Sequence, residues 1–511
     1  MKKIIRYTPL LLSLLLLTHC TVVGQNQVRS QKEFEVTDFG ASNKGDKLST
    51  KAIQNAIDAA HKAKGGKVVF TKGTYLSGTI ELKDNVHLEI NEDAVLLGTT
   101  DAYQYRKLEQ GNLALIVAKE VSNISITGKG TINGQGRKLA LAIDSLHHIG
   151  ERIDPKYNLK RMRPNELHRP ELINFLKCTN VNVSNITLKS SASWLQTIEQ
   201  CKDVSYDGVT IHNRAYWNND GFDIVDCTNV RITNCNVDAA DDGICLKSHS
   251  KDHYNDSIYI ANCTIRSSAS AIKFGTASLG GFKNVTIENI KVFDTFRSAI
   301  AIESVDGGVI ENVKVNNIIA KNTGNAIFVR LGHRSGDSPG IVKNISIKNI
   351  DVQVPFGRPD IDYDLRGPEV NFFHNPFPSS ITGIKGHHVE NVLLENITVS
   401  YPGRASKGMA YVPLSRLDQV KEEVKGYPEF SMFGELPAYG LYVRHVTGIT
   451  MKDITFTLEN DDFRPAMIFD DVSKIDISGV HFPKNKKDEI ILKDASFYKV
   501  DDNLLEAVRK L

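Results

Sequence analysis

The sequence predicts an all-β chain wound as a parallel β-helix solenoid with an N-terminal capping helix, on three observations. First, one phrase recurs: a polar residue, an alternating strand, an Asn or Gly, and a second strand. Examples are Asn180-Val-Asn-Val, Asn229-Val-Arg-Ile, Ser257-Ile-Tyr-Ile, Asn284-Val-Thr-Ile, Asn344-Ile-Ser-Ile, Asn391-Val-Leu-Leu and Lys474-Ile-Asp-Ile. Second, between Asp203 and Asn284 the interval is roughly 26 to 28 residues, a period at which each turn of chain buries its apolar face only against its neighbours. Third, the strands are short, β-branched and closed by Asn or Gly turns, which suits β coils and not helical repeats. The hairpin turns of a sandwich and the four-strand signature of a propeller blade are missing.

The capping element lies in the entry segment from Phe34 to Thr100. Ser49-Thr50-Lys51-Ala52-Ile53 opens an amphipathic helix with apolar positions at Ile53, Ala56, Ile57 and Ala60, and Gly65-Gly66 ends it. Residues 34–490 are read as the solenoid domain and 491–511 as a C-terminal tail. Residues 138–170, residues 353–385 and the stretch from Tyr401 to Tyr439 break the rhythm; long loops on a rigid solenoid build clefts or lids.

Ahead of the solenoid, Lys2, Lys3 and Arg6 precede an apolar run from Leu10 to Leu17, the charge order and length of a signal peptide (residues 1–24) and too short for a stable span. Leu17-Thr18-His19-Cys20 resembles a lipoprotein box with His in place of a small residue, whereas Val22-Val23-Gly24 suits simple cleavage, so a lipid anchor at Cys20 is left open. The expected location is the periplasm or outer surface of a Gram-negative bacterium, with no membrane span. Export permits disulfides. Yet Cys178, Cys201 and Cys227 each precede a strand at the same phase, and Cys235 and Cys263 each follow an Asn, so the cysteines read as small stacked core residues. Charged residues make up 24% and the formal net charge is +2, which supplies no basic field for nucleic acid.

The chemistry concentrates in Trp217-Asn218-Asn219-Asp220-Gly221-Phe222-Asp223 and Asp238-Ala239-Ala240-Asp241-Asp242-Gly243. Asp220 and the Asp241-Asp242 pair lie about one coil apart, hence about 4.8 Å apart along the axis. Crowded carboxylates cannot all ionise freely, so at least one pKa rises. A protonated acid beside an ionised partner is what glycoside hydrolysis needs. The plainer reading makes these aspartates turn residues or a calcium site.

These residues resemble glycoside hydrolase family 28, the polygalacturonases and rhamnogalacturonan hydrolases. Asn218-Asn219-Asp220 is similar to the family's Asn-Thr-Asp motif and Asp241-Asp242 to its paired aspartates. Phe39-Gly40-Ala41, the Ala52-Ile53-Gln54 helix, Gly65-Gly66 and Gly73-Thr74-Tyr75 look like its N-terminal portion. The resemblance spans roughly residues 34 to 490. It implies a right-handed parallel β-helix and an inverting reaction, with Asp241 as general acid and Asp220 and Asp242 activating water. Two further motifs depart from the family: its Gly-His-Gly falls on Ala269-Ser270-Ala271, and its Arg-Ile-Lys on Ala301-Ile302-Glu303.

Further candidates lie near the acids. Lys273, outward by strand alternation, and Lys247 are either substrate-binding cations or solvated surface lysines. Glu303 could bind sugar hydroxyls or pair with Lys273, and Arg330 lies one coil further. The 138–170 loop offers His147, His148, Arg152, Arg161, Arg163, His168 and Arg169 to a carboxylate or sulfate. Trp194 and Trp217 flank the wall; sugar stacking competes with core packing, and core packing suits Trp194 better than Trp217. With Asn218, Lys247, Lys273, Glu303 and Trp217 as substrate-binding candidates, the expected partner is an acidic polysaccharide or oligosaccharide, attacked from a chain end, with no cofactor and no metal. The rivals are a polysaccharide lyase with a Ca²⁺ site and a non-catalytic carbohydrate-binding solenoid.

Overall fold

A computed structural model describes residues 32–364, 376–406, 412–483 and 487–511. The segment expected to be a signal peptide, and Cys20 with it, lie outside them. Among the described residues every pairing between strands is parallel, each strand pairing with its counterparts on neighbouring coils, which is a parallel β-helix.

Alternation explains the winding. In Thr228–Thr233, Val230 and Ile232 are buried while Asn229 and Arg231 point out. Register then stacks like on like: Val181, Val204, Val230, Ile258, Val285, Val313 and Ile345 are successive partners in one buried file. Each such side chain contributes roughly 1.5–3 kcal/mol by leaving water. Asn recurs at the bends for a conformational reason. Asn284, Asn312, Asn344 and Asn391 all have φ between +53° and +59°, the left-handed region Asn enters most cheaply after Gly. Their amides then form a ladder, Asn312 Nδ2 donating to Asn284 Oδ1 at 3.1 Å and Asn344 Nδ2 to Asn312 Oδ1 at 3.3 Å.

The helix α1 spans Thr50–Lys62 and buries Ile53, Ala56, Ile57 and Ala60 against the end of the core beside Phe34, Val36 and Val68. Cys178, Cys201 and Cys227 stack as expected, the Cys178 and Cys201 amides donating to the next thiol at 3.2 and 3.3 Å. All six described cysteines are free. Cys245 departs from the core reading: it lies on the outward face, where Lys247 Nζ approaches its sulfur at 3.0 Å.

The interruptions carry structure that the sequence did not reveal. The first contains a second helix, α2 (Gly136–His148), with Leu139, Ala140 and Ile143 buried. In the second, Asp360 is buried and accepts from Ser268 Oγ at 2.8 Å, and the Tyr363 hydroxyl donates to Asp238 Oδ1 at 2.7 Å. The third folds back over the wall, seating Leu417, Val420 and Leu436 on the outward-facing Tyr442, Ile468 and Ile491. Arg330 holds this segment in place by donating to the Glu422 and Glu423 carbonyls at 2.7 and 3.1 Å. Residues 491–511 continue the solenoid: Ser496–Val500 pairs with Ser473–Ile477 and Val508–Lys510 pairs with Ile490–Leu492.

The bend ladder is testable. Asn312→Ala, at φ +59°, should destabilise the protein by about 1–2 kcal/mol in chemical denaturation, while Asn312→Gly, which keeps the backbone free to turn, should cost less.

Candidate active site

The wall that carries the acids is built from Phe222–Val225, Ile244–Ser248 and Ile272–Ser278, continued by the last residues of the Gly281–Ser304 strand. Phe222, Ile244, Ile272 and Ile300 are register partners and point inward. The turn entering each strand repeats in step. The Gly221 amide donates to the Asp242 carbonyl at 2.9 Å, Asp241 to Asn219 at 3.2 Å, Gly243 to Ser270 at 2.9 Å and Arg297 to Ala269 at 2.9 Å. Asp220, Asp242 and Ser270 therefore stand in one file and Asn219, Asp241, Ala269 and Arg297 in the next. The coil period places the carboxylates together, as the sequence suggests.

The cations interleave with them. Lys247 Nζ lies 2.6 Å from Asp223 Oδ1 and 3.2 Å from Asp220 Oδ2, and Lys273 Nζ lies 3.2 Å from Asp242 Oδ2. Lys273 is only 2% exposed and Lys247 7%, so neither is a solvated surface lysine. The Ser270 amide donates to Asp242 Oδ1 at 3.1 Å. Asp241 differs from its neighbours. Among the described residues no basic nitrogen lies within ion-pair distance of it, and its Oδ1 accepts from the Asp242 amide at 3.1 Å.

This asymmetry splits the proton affinities. Burial, reinforced by the Asp220 and Asp242 charges, pushes Asp241 up to about 7. Burial acts on Asp242 too, but Lys273, Lys247 and Arg297 with the Ser270 amide overcome it and hold Asp242 below the ordinary carboxylate value. Asp220 is raised by burial and by Asp223. Asp223 is pushed up to about 6, again mainly by burial. Glu303, 1% exposed with Oε2 unbonded, rises to about 8 for the same reason; it makes no ion pair with Lys273.

Several expected contacts resolve differently. Asn218 is engaged by a buried guanidinium, its Oδ1 accepting from Arg169 Nη2 at 2.7 Å. Asn219, fully buried, donates to the Ser191 and Ser193 carbonyls at 3.1 and 2.7 Å and so shapes the turn that presents Asp220. The two tryptophans exchange the roles expected of them: Trp194 lies outside the core with Lys247 Nζ 4.7 Å from its ring centre, whereas Trp217 packs partly against the core. Arg161 and Arg163 each lie 5.2 Å from the Trp217 ring. Of the basic loop, Arg161, Arg163 and Arg169 reach the turn from Trp217 to Asp220. Arg169 serves the carbonyls of Pro164, Ala192 and Trp217, and His147 stacks on Tyr157.

Sequence reasoning missed Arg297 with its partner Glu429, Asp223 and Tyr427. Arg297, 2% exposed, pairs with Glu429 at 2.9 Å and lends positive potential to both Asp241 and Asp242. Asp223 shares Lys247 with Asp220. Tyr427 reaches over the wall, its hydroxyl 3.3 Å from Lys273 Nζ. Asp223 alone had a signal, an outward acid at the register position below Cys245 and Lys273.

A parallel β-helix presenting buried carboxylates and lysines on one wall defines a protein of the pectinase-like solenoid class. Within it, this chain belongs to the glycosyl hydrolases family 28, whose profile matches residues 62–359. The chain is 28% identical over 333 residues to a probable polygalacturonase of Vitis vinifera, covering 62% of this chain and 60% of that protein. To an exopolygalacturonase of Zea mays it is 27% identical over 339 residues, covering 62% and 76%. The match thus spans about 60% of the length of the grape relative. The fold is shared with the family 28 exopolygalacturonase of Yersinia enterocolitica, at TM-score 0.64 and 20% identity over 89% of this chain and 78% of that one. At 28% and 27% identity to these relatives the chain is a divergent member of the family.

Removing a central cation should be costly. Lys247→Met strands Asp220 and Asp223 in the interior, and should lower the unfolding free energy by about 3 kcal/mol at pH 7. The loss should shrink at pH 5, where the stranded carboxylates take up protons; chemical denaturation at the two pH values checks both the size and the trend.

Proposed function

We propose that this chain hydrolyses glycosidic bonds in a pectic or other acidic glycan by an inverting mechanism, with Asp241 as general acid and Asp242, assisted by Asp220, activating the water. The observation that carries the reading is the unequal surroundings of adjacent residues: Asp242 has Lys273 Nζ at 3.2 Å and the Ser270 amide at 3.1 Å, whereas among the described residues Asp241 has no basic nitrogen within ion-pair distance, so burial pushes Asp241 up to about 7 while Asp242 is held low. An acid must donate to the departing oxygen while an ionised carboxylate takes a proton from water, so two carboxyl groups with separated affinities suit the two tasks. Their placement in neighbouring files supports an inverting geometry, which needs carboxyl groups roughly 6.5–9.5 Å apart with water between them.

The printed names of the relatives, polygalacturonase and exopolygalacturonase, support a uronate substrate. The strand positions that hold cations in the family carry Ala301 and Glu303 here, so we assign the sugar carboxylate to Arg163, which is 7% exposed with Nη1 unbonded and stands where the Asp241 charge acts on it. Trp194 and Lys247 line the approach. The segment bearing Tyr427 and Glu429 closes the wall on its C-terminal side, which supports attack from a chain end. Export to the periplasm or outer surface, with or without a lipid at Cys20, fits a polymeric substrate and rests on the N-terminal sequence. Against a calcium-dependent lyase, the space between Asp220 and Asp223 is filled by the Lys247 ammonium.

A screen of the purified protein on oligogalacturonides and other acidic glycans, with product analysis, tests the reading. Asp241→Asn should lower kcat by about 10²–10⁴-fold; turnover that survives the change would sink the assignment. Activity should fall as pH rises through about 7, where Asp241 loses its proton. Lys273→Met should move the acid limb to higher pH, because Asp242 loses the charge that holds it ionised. Arg163→Gln should raise KM for a free uronide about ten- to a hundredfold while sparing its methyl ester.

A further inference from the structure

A second group of donor side chains lies away from the acid wall, on a bend late in the solenoid. Val389, Val446 and Val472 are register partners on successive coils, so the residues just before them, His388, His445 and Asp471, stand in one file about 4.8 Å apart. Asp471 Oδ2 lies 2.7 Å from His445 Nδ1 and 3.3 Å from His388 Nε2. One oxygen and two imidazole nitrogens fall within 4.8 Å of one another.

His445 has a carboxylate on each ring nitrogen, Asp471 on Nδ1 and Glu422 Oε1 at 2.6 Å from Nε2. A carboxylate only accepts, and a neutral imidazole has a single N–H to give. Something positive must therefore occupy one side: a second proton, or a metal ion. Three features favour the ion. Each imidazole has an oxygen partner on its far nitrogen, Glu422 for His445 and Thr447 Oγ1 at 2.9 Å for His388 Nδ1, the arrangement that orients a ligating histidine. Asp471 has no lysine or arginine partner among the described residues; the two imidazoles are its ion-pair partners, while the nearby Arg444 and Lys493 face Asp470. The Asp471 side chain is 46% exposed, which leaves an entry path and room for a water ligand.

We propose that His388, His445 and Asp471 bind one divalent transition-metal ion of the zinc class, with solvent completing four-coordination. Two nitrogens and a carboxylate oxygen suit such an ion and not Ca²⁺ or Mg²⁺. The 2.7 Å contact would widen to roughly 3.3 Å, the separation of two ligands about 2.05 Å from a tetrahedral centre. Through Glu422 the ion ties the segment that covers the wall to the coils beneath it.

The test uses the full chain, stripped with a chelator and titrated calorimetrically with Zn²⁺ alone at neutral pH. One ion per chain is expected, with affinity at least about a hundredfold weaker in His388→Ala and in Asp471→Asn, and no heat from Mg²⁺. Far-UV circular dichroism of the variants confirms their fold, and X-ray absorption of the loaded protein should show two nitrogens among the ligands. No Zn²⁺ uptake by the natural chain, or uptake unaffected by the two substitutions, overturns the proposal.

Discussion

Parallel register is the constraint on which the rest of this protein depends. Each coil lies one strand spacing, about 4.8 Å, above the last, so whatever occupies a given phase of the repeat is pressed against its counterparts above and below. For Val230, Ile258 and Val285 this makes a continuous apolar file. For Asn284, Asn312 and Asn344 it turns a bend residue into a hydrogen-bonded ladder. The same spacing imposes proximity on charge: Asp220 and Asp242 are neighbours because Phe222 and Ile244 are.

Proximity alone would drive the carboxylates to protonate together. What differentiates them is a second set of outward residues on the same strands. Lys247 is shared by Asp220 and Asp223, Lys273 serves Asp242, and Arg297 adds potential from the next coil. Among the described residues Asp241 has no cation within ion-pair distance, and burial decides its affinity. Neighbouring residues in the chain thus differ in proton affinity because the turn projects them into different files.

Burial of this network depends on segments outside the repeat. The stretch from Tyr401 to Tyr439 covers outward apolar residues such as Tyr442 and Ile468 and brings Tyr427 and Glu429 onto Lys273 and Arg297. The first insertion brings Arg161 and Arg163 onto Trp217. A wall that would be half-solvated on a bare solenoid becomes one in which Lys273 is 2% exposed, and at that burial the Coulombic terms are strong enough to order the proton affinities.

The sequence by itself determined the solenoid, its capping helix, the stacked cysteines and the shared wall of Asp220, Asp241 and Asp242, because each follows from a period and a period is local information. Tertiary structure decided the rest. That Lys247 and Lys273 are buried partners of the acids, that Asn218 belongs to Arg169, that Trp194 and Trp217 exchange their expected places, and that Cys245 faces outward all depend on what packs over the wall. Those covering segments have no repeat of their own, and their contacts join residues far apart in the chain, as Lys273 and Tyr427 are. Desolvation acts through space, so the proton affinities of the three aspartates became legible only when the residues that exclude water from them were in place.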